Sequence, residues 1–207
     1  MGQVFLLQFD GFALRIHFLL FGSHRITERK PAPSAPRLSL GFSRGQELNF
    51  YACSVKFIEG DLDEAYDFIG DVMNDAWSAP RARRKLKLQP ATLVADALLD
   101  QDVFAGVGNI IKNEVLHRIR VHPQSTIGAL APRKLGEMIK QARVYSFDFY
   151  EWKKAHVLKK HYQVHTRTIC PRDGNRLSHA RHLGRVQRRA FWCDVCQVLY
   201  GDGESTR

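Results

Sequence analysis

The stretch that decides the fold is "LLDQDVFAGVGNIIKNEVLHRIRVHP", residues 98–123, in which two glycines separate two helical patterns. Gly106 and Gly108 permit a left-handed backbone and the close approach of another chain. Asn109 opens the second helix, where backbone amides and the helix dipole favour an anion such as phosphate. An ordinary tight turn between helices, with Asn109 as a helix cap, explains the same residues, and the stretch taken alone favours this second interpretation.

Helical spacing continues on both sides of this stretch. Asp61 can cap a helix, and Glu64 three residues later completes a capping-box pattern. Apolar residues then recur at intervals of three and four, which predicts helices and short breaks between them. The predicted helices are "LDEAYDFIGDVMNDAW" (62–77), "PATLVADALLDQ" (90–101), "NIIKNEVLHRI" (109–119) and "PRKLGEMIKQARVYSFDFYEWKKA" (132–155).

The first 58 residues have the composition of β-strands. "QVFLLQF" and "FALRIHFLLF" are rich in β-forming residues and flank an Asp10-Gly11 turn. "RLSLGF" and "ELNFYACSVKFI" resume the strands after a loop rich in proline. The sequence therefore predicts an α+β protein with three parts: a β domain at 1–60, a helical domain at 61–158 and a small metal domain at 159–207.

The charge of the chain points to a polyanionic partner. The net charge is +10, and residues 151–207 hold 12 Lys/Arg against 5 Asp/Glu. Such an excess favours nucleic acid, although a solvated basic face has the same composition. No stretch has the roughly 18 uncharged apolar residues of a membrane span, and the first residues lack the basic region of a signal peptide. No membrane partner is expected.

A cluster of cysteines near the end of the chain predicts a metal site. Cys193 and Cys196 form a C-x-x-C knuckle, and Cys170 begins a similar knuckle in which Asp173 occupies the second ligand position. Zinc takes four ligands in a tetrahedron, and aspartate can supply one through oxygen. His179 and His182 are alternative fourth ligands by chemistry, although they are displaced in sequence. A hairpin without metal, packed around Phe191 and Trp192, is the competing interpretation.

These motifs together resemble the formamidopyrimidine-DNA glycosylase and endonuclease VIII family. "DQDVFAGVGNIIKNEVLHRIRVHP" resembles its helix–two-turn–helix motif, "GRVQRRAFWCDVCQ" its zinc-finger hairpin, and "LRIHFLLFG" part of its N-terminal β-sandwich. The resemblance implies a partial β-sandwich, a helix–two-turn–helix domain and a C-terminal zinc-finger β-hairpin. It also implies a base-excision-repair enzyme that flips oxidised bases out of double-stranded DNA and cleaves the resulting abasic site.

Several site residues follow from matching the family motifs. Asn109 corresponds to the phosphate-binding asparagine of the two-turn motif, and Arg188, five residues before Cys193, to the finger arginine that holds phosphates beside the lesion. Arg189 is its neighbour, but the offset from the cysteine favours Arg188. Leu19, Leu20 and Phe21 lie where relatives insert side chains into the gap left by the flipped base. The alternative for these three is a place in the core, and for Arg188 a solvated position on a basic tail.

The catalytic residues of the family are not found in their expected places. Relatives begin Met-Pro-Glu and use the proline amine as nucleophile, whereas this sequence begins Met-Gly-Gln. The family's hairpin lysine would fall near Gly2 and Gln3. No catalytic residue is therefore assigned. We expect either a chain shortened at its start or a degenerate paralogue, with weak or absent activity.

Three functions fit these observations to different degrees. The first is a glycosylase and lyase of the endonuclease VIII branch, and the second a non-catalytic DNA-binding paralogue that keeps the finger. The third is a zinc ribbon that binds RNA or protein, which the two-turn motif disfavours. Zinc as cofactor, damaged or abasic duplex DNA as partner, a monomer, and a bacterial cytoplasm with nucleoid association complete the expectation.

Overall fold

The computed structural model describes residues 4–60 and 62–201, which form two compact units divided after Asp67. The first unit contains strands β1 (Val4–Phe9), β2 (Phe12–Ile26), β3 (Leu38–Gly41) and β4 (Glu47–Glu59) and the short helix α1 (Leu62–Ala65). The strands form one antiparallel sheet in the order β1-β2-β4-β3. The expected strands are confirmed. The predicted cap at Asp61 and the positions Gly2 and Gln3 lie outside the described residues.

Strand β2 is interrupted by a bulge that turns two large apolar side chains outward. Its register with β4 shifts between Phe18 and Ser23. Gly22 lies in this interruption, where a Cβ would stand 2.5 Å from the Phe18 Cβ, so no larger residue fits without displacement. Phe18 points into a small core with Ile16 and Phe50. The bulge thus separates a strand that packs inward from a segment that does not.

The second unit is built mainly from helices. It contains α2 (Ala79–Lys87), α3 (Val94–Ala97), α4 (Asn109–Arg118) and α5 (Pro132–Lys154), with 3₁₀ turns at Phe68–Gly70 and Leu158–His161. The antiparallel hairpin of β5 (Ser178–Leu183) and β6 (Arg188–Trp192) packs its Leu183 and Ala190 into the same core as the helices. None of the described helices has the length and apolar character that crossing a membrane requires.

The prediction of one helix over 62–77 is wrong. The chain there forms α1, a 3₁₀ turn and a series of turns, because side chains compete for the backbone amides. Asp71 Oδ1 accepts the amide of Met73 at 2.8 Å, and Asn74 Oδ1 accepts that of Ala76 at 2.8 Å. Aspartate and asparagine favour such local bonds over helix continuation.

Two further helices differ from the prediction. The segment 90–101 contains only the short α3, with turns on either side. Helix α2, which was not predicted from the sequence, is capped by Ser78, whose Oγ accepts the amide of Arg81, and has a proline in its first turn. Basic residues make up much of α2, so the apolar stripe that contains the buried Ala82 and Leu86 is narrow and hard to recognise in the sequence. Helices α4 and α5 are confirmed.

Candidate nucleic-acid interface and metal centre

The turn before α4 exposes a helix N-terminus without a side-chain cap. Gly106 has φ of +91°, so this position needs glycine, and Gln101 Oε1 accepts its amide at 3.1 Å. Gly108 is the N-cap with extended backbone, and apart from its chain neighbours and the helix backbone no described atom lies within 4 Å of the place where its Cβ would be. The first amides of α4 therefore lack a capping side chain, the arrangement that binds anions at helix termini.

Asn109 is the first residue of α4 rather than its cap. Its side chain is partly buried, and its Oδ1 atom is fully buried with no hydrogen-bond partner among the described residues. The alternative in which Asn109 caps the helix is therefore wrong. The side-chain oxygen of Asn109 is turned inward. Its side-chain nitrogen, Nδ2, is therefore the atom that can donate a hydrogen bond outward, beside the uncapped backbone amides.

Helix α4 buries polar side chains along much of its length and uses them to hold the finger. Lys112, only 1% exposed, donates from Nζ to the Arg189 carbonyl at 3.0 Å, and burial lowers its pKa to about 8. Asn113 Oδ1 accepts the amide of Phe191 at 3.4 Å. Lys112 lies about one helical turn after Asn109. Its bond to the Arg189 carbonyl holds the backbone at the beginning of β6, where Arg188 lies.

Glu114 anchors the segment that leads to the finger. Its carboxylate accepts three consecutive backbone amides, those of Gln163, Val164 and His165, at 2.8–3.1 Å. Burial raises the pKa of this carboxyl, and the three amides oppose that shift. The sequence analysis missed this set of buried polar residues, because a run such as Lys-Asn-Glu within a helix is typical of a solvated face.

The tip of the hairpin is held in a similar way by Asp96. Its carboxylate accepts the amides of Arg185 at 2.7 Å and Val186 at 3.1 Å. Gly184 has φ of +68° and lies so close to Asp96 that a Cβ would stand 2.5 Å from the carboxylate oxygens. Arg188, which follows this tip, is exposed and forms no ion pair within the described residues.

The four predicted metal ligands come together. One ligand atom from each of Cys170, Asp173, Cys193 and Cys196 lies within 4.8 Å of the others. The Sγ atoms of Cys170 and Cys196 are 3.9 Å apart, and Asp173 Oδ2 is 3.1 Å from Cys193 Sγ. A tetrahedron with zinc–sulfur bonds of about 2.3 Å has edges of roughly 3.8 Å. This cluster can therefore hold a metal ion.

The Asp173 carboxylate is oriented to act through one oxygen. Its Oδ1 accepts the amide of Asn175 at 3.0 Å, which leaves Oδ2 facing the cysteines. This amide bond is the main reason that the pKa of Asp173 falls to about 2, so the side chain is ionised at neutral pH. Burial raises the pKa of the Cys193 thiol to about 12, and a bound cation would displace this proton.

His179 and His182 lie outside the cluster of ligand atoms. His179 stacks beside Phe191, and His182 Nδ1 is 3.5 Å from the Gln187 carbonyl. Two residues that the sequence analysis missed contact the cluster instead. His117 of α4 places Nε2 3.5 Å from Cys170 Sγ, and Arg172 donates to Cys196 Sγ at 3.0 Å and to the His117 carbonyl at 3.1 Å.

The first unit carries the remaining predicted site residues. Leu19 is 54% exposed and Phe21 is 81% exposed, so neither belongs to the core of the sheet. The side chain of Leu20 lies outside the described part of the structure. The expected insertion of these residues into DNA stays a prediction.

Comparison with known proteins agrees with this fold. The family model for the formamidopyrimidine-DNA glycosylase H2TH domain matches residues 71–144, which include α2 to α4 and most of α5. Endonuclease 8-like 3 of Xenopus laevis is 31% identical over 210 residues, covering 95% of this chain and 33% of the relative. Endonuclease 8-like 2 of Bos taurus is 30% identical over 197 residues, covering 89% of this chain and 58% of the relative.

A solved structure has the same fold despite low identity. Lactococcus lactis formamidopyrimidine DNA glycosylase, non-covalently bound to DNA containing an abasic site, superposes with a TM-score of 0.81 at 20% identity. The match covers 95% of this chain and 78% of that one. Fold and sequence together define a protein of the helix–two-turn–helix class. The chain belongs to the formamidopyrimidine-DNA glycosylase and endonuclease VIII family, as its motifs indicate.

The relatives also correct the expected source. Endonuclease 8-like proteins of frog, cattle, mouse and human match this chain. These are eukaryotic proteins, so the expectation of a bacterial, nucleoid-associated protein is wrong. Motif matching alone did not make the distinction, since a glycosylase of Lactococcus lactis also shares this fold. The chain spans about a third of the length of the endonuclease 8-like 3 relatives and 57–58% of the endonuclease 8-like 2 relatives.

Proposed function

We propose that this protein is a DNA glycosylase of base-excision repair that holds duplex DNA containing a damaged or abasic site. The observation that carries the proposal is the contact of α4 with β6. The helix presents Asn109 and uncapped amides at its beginning, and one turn later Lys112 fixes the backbone next to Arg188. A helix terminus with an amide donor and an arginine on a rigid strand suits two phosphate contacts.

The finger contributes through a bound metal, which we propose to be zinc. Cys170, Cys193 and Cys196 would supply sulfur and Asp173 one oxygen, which is a donor set that zinc accepts. Three thiolates and a carboxylate around a divalent cation leave two negative charges. Arg172, which donates to Cys196 Sγ and is bonded to α4, offsets one of these charges and ties the metal site to the helix.

Leu19, Leu20 and Phe21 are proposed to enter the space left when a base leaves the stack. Unstacking a base costs a few kcal/mol, and an apolar side chain in the gap offsets part of that cost. The exposure of Leu19 and Phe21 supports this role, because large apolar side chains on a strand bulge have no packing function there. The protein is proposed to act on DNA as a monomer.

Binding to a labelled duplex with an abasic-site analogue tests this proposal. Affinity should fall steeply with salt, because each phosphate contact releases counterions. Arg188→Gln should weaken binding and reduce the slope of log affinity against log salt by about 1. Asn109→Ala should weaken binding to all sequences alike, since phosphate contacts carry no base information. Lys154→Gln, an exposed charge at the end of α5, is the control. An affinity that does not depend on salt would refute the proposal.

Covalent trapping tests whether this 207-residue polypeptide itself acts as a lyase. Positions 2 and 3 are Gly and Gln, so these 207 residues carry neither the family's proline amine nor its glutamate there. Losing a catalytic group typically lowers a rate by ~10²–10⁴, and losing the nucleophile costs more. Borohydride reduction on abasic DNA should give no adduct with the 207-residue polypeptide, whereas a relative that begins Met-Pro-Glu should be trapped. An adduct with the polypeptide would show that another amine, such as Lys56, has taken over.

A further inference from the structure

The outer face of the finger hairpin carries a basic cleft of about 310 Å³. Its walls are the segment 166–168 on one side and the hairpin on the other. Arg167, Arg181, Arg189 and His179 contribute the charged and polar lining, and Phe191 forms part of the apolar lining. No carboxylate of residues 4–60 or 62–201 lines the cleft.

This cleft is on the opposite side of β6 from Arg188. Successive side chains of a strand point to opposite faces, so Arg188 and Arg189 diverge. Ala190, on the same face as Arg188, packs into the core formed with the helices. Arg189 shares the other face with Phe191, and its guanidinium lies 5.9 Å from the centre of that ring. The pairing of His179 with Phe191 across the hairpin places the imidazole on this outer face as well.

The arginines of the cleft are not neutralised by the protein. Among the described residues, none of the three forms an ion pair with a carboxylate. Arg167 is nevertheless fixed, because it donates from Nε to the Tyr162 carbonyl at 3.2 Å and from Nη2 to the Lys159 carbonyl at 3.0 Å. Positive charge held in a concave surface without counter-charge concentrates anions there.

The chemistry of the lining selects a nucleotide among anions. Guanidinium groups bind phosphate oxygens through paired hydrogen bonds, and the hydroxyls of Thr166 and Thr168 can donate to the same oxygens. The exposed His179 ring, which lies 6.0 Å from the buried Phe191 ring and 28° from parallel to it, adds flat surface of the kind on which unpaired bases stack. A narrow cleft admits one strand with its bases unpaired more readily than a duplex.

We propose that this cleft is a second nucleic-acid site, which binds the phosphodiester backbone of a single strand on the face of the finger opposite Arg188. Its residues are separate from Asn109 and Arg188, so the proposal and the proposed duplex contact can fail independently. With both sites occupied, the hairpin would lie between a duplex and an unpaired strand.

Titration of the whole protein with the tetranucleotide 5′-phosphorylated dT4, followed by amide and imidazole NMR, tests the site. Signals of residues 166–168 and of His179 should shift. In the variant with Arg181→Gln and Arg189→Gln, the dissociation constant should rise at least about tenfold, since two charge-assisted contacts are lost. Arg188→Gln should leave these shifts in place, and Lys153→Gln with Lys154→Gln, an equal loss of charge elsewhere, should change the constant less than about twofold.

Three results would overturn the proposal. The double glutamine variant could bind the tetranucleotide as the unaltered protein does, or the shifts could be confined to the beginning of α4 and Arg188. Equal shifts produced by a tetra-aspartate peptide would show an unselective anion site rather than a nucleic-acid site. If the double variant lowers the melting temperature, the single variants Arg181→Gln and Arg189→Gln are compared at matched stability.

Discussion

Asp173 is the residue that sets the character of the metal centre. It provides a hard oxygen among three soft sulfur ligands, and structural zinc sites favour sulfur and nitrogen. Its Oδ1 is already bonded to the Asn175 amide, so Oδ2 is the atom directed towards the cluster. A single carboxylate bond leaves the centre open to ligand exchange, and zinc should be released more readily than from four thiolates.

Substitutions at Asp173 should raise or lower the affinity for zinc, depending on the new side chain. Asp173→Cys should strengthen zinc binding about tenfold or more and slow its release to a chelator, because the ligand becomes a thiolate. Asp173→Ala should weaken binding by at least as much. Asp194→Asn, a carboxylate within the Cys193–Cys196 knuckle but outside the cluster of ligand atoms, is the control. Competition with a coloured zinc chelator measures each variant, and equal release from Asp173→Ala and the unaltered protein would exclude Asp173 as a ligand.

Helix α4 holds the finger region in place through buried polar side chains. Three of its successive side chains bond to two segments of the finger region: Lys112 and Asn113 to Arg189 and Phe191 of β6, and Glu114 to residues 163–165. A buried polar group without a partner costs about 1–3 kcal/mol, so these bonds define one position of the finger on the helix. The uncapped beginning of α4 and the arginine of β6 are thereby held in one arrangement.

Lys112→Met tests whether this support matters for DNA. The side chain is buried, so it cannot touch DNA, yet its loss leaves the Arg189 carbonyl unpaired and loosens the start of β6. Affinity for abasic-analogue duplex should fall about as much as in Arg188→Gln. Lys134→Met is the matched control, because Lys134 donates to the Ile119 carbonyl at 2.7 Å. The control should lose a similar stability, about 1–3 kcal/mol, and keep its DNA affinity. Equal DNA affinity in both variants would contradict the role of α4.

Local patterns in the sequence predict some elements well and others poorly. The strands have alternating side-chain patterns, and α4 begins shortly after Gly106, which adopts positive φ. Both kinds of element can therefore be predicted from the sequence. The break in 62–77 depends on which amides the Asp71 and Asn74 side chains reach, and helical spacing does not reveal that. The support on α4 is hidden for another reason: Lys112 and Glu114 look like surface residues until the finger covers them.

The part of the site that is formed by residues close together in the sequence can be predicted from the sequence. The C-x-x-C knuckle and the offset of Asp173 predict the ligand cluster from spacing, although spacing leaves His179 and His182 as alternatives to Asp173. His117 and Arg172 escape such analysis, because their contacts with Cys170 and Cys196 join residues that are far apart in sequence or have no metal-binding pattern. The basic cleft likewise forms only when residues 166–168 are brought beside the hairpin.

The second unit combines a helix terminus, a hairpin that carries a cluster of potential metal ligands, and a surface of positive charge. Both proposed phosphate contacts lie in this unit, and the helix between them is rigid. The proposed wedge residues lie in the first unit. We therefore propose that Asn109 and Arg188 each hold one phosphate near the lesion.

The most direct measurement replaces single phosphates of an abasic-analogue duplex, one at a time, with neutral methylphosphonates. The unaltered protein should lose affinity at two positions near the abasic site, each by about 1.5–3 kcal/mol, the value of a hydrogen bond to a charged group. Asn109→Ala should become insensitive at one of these positions and Arg188→Gln at the other, while each keeps its sensitivity elsewhere. If each methylphosphonate lowers the affinity of both variants as much as it lowers that of the unaltered protein, neither Asn109 nor Arg188 binds a phosphate.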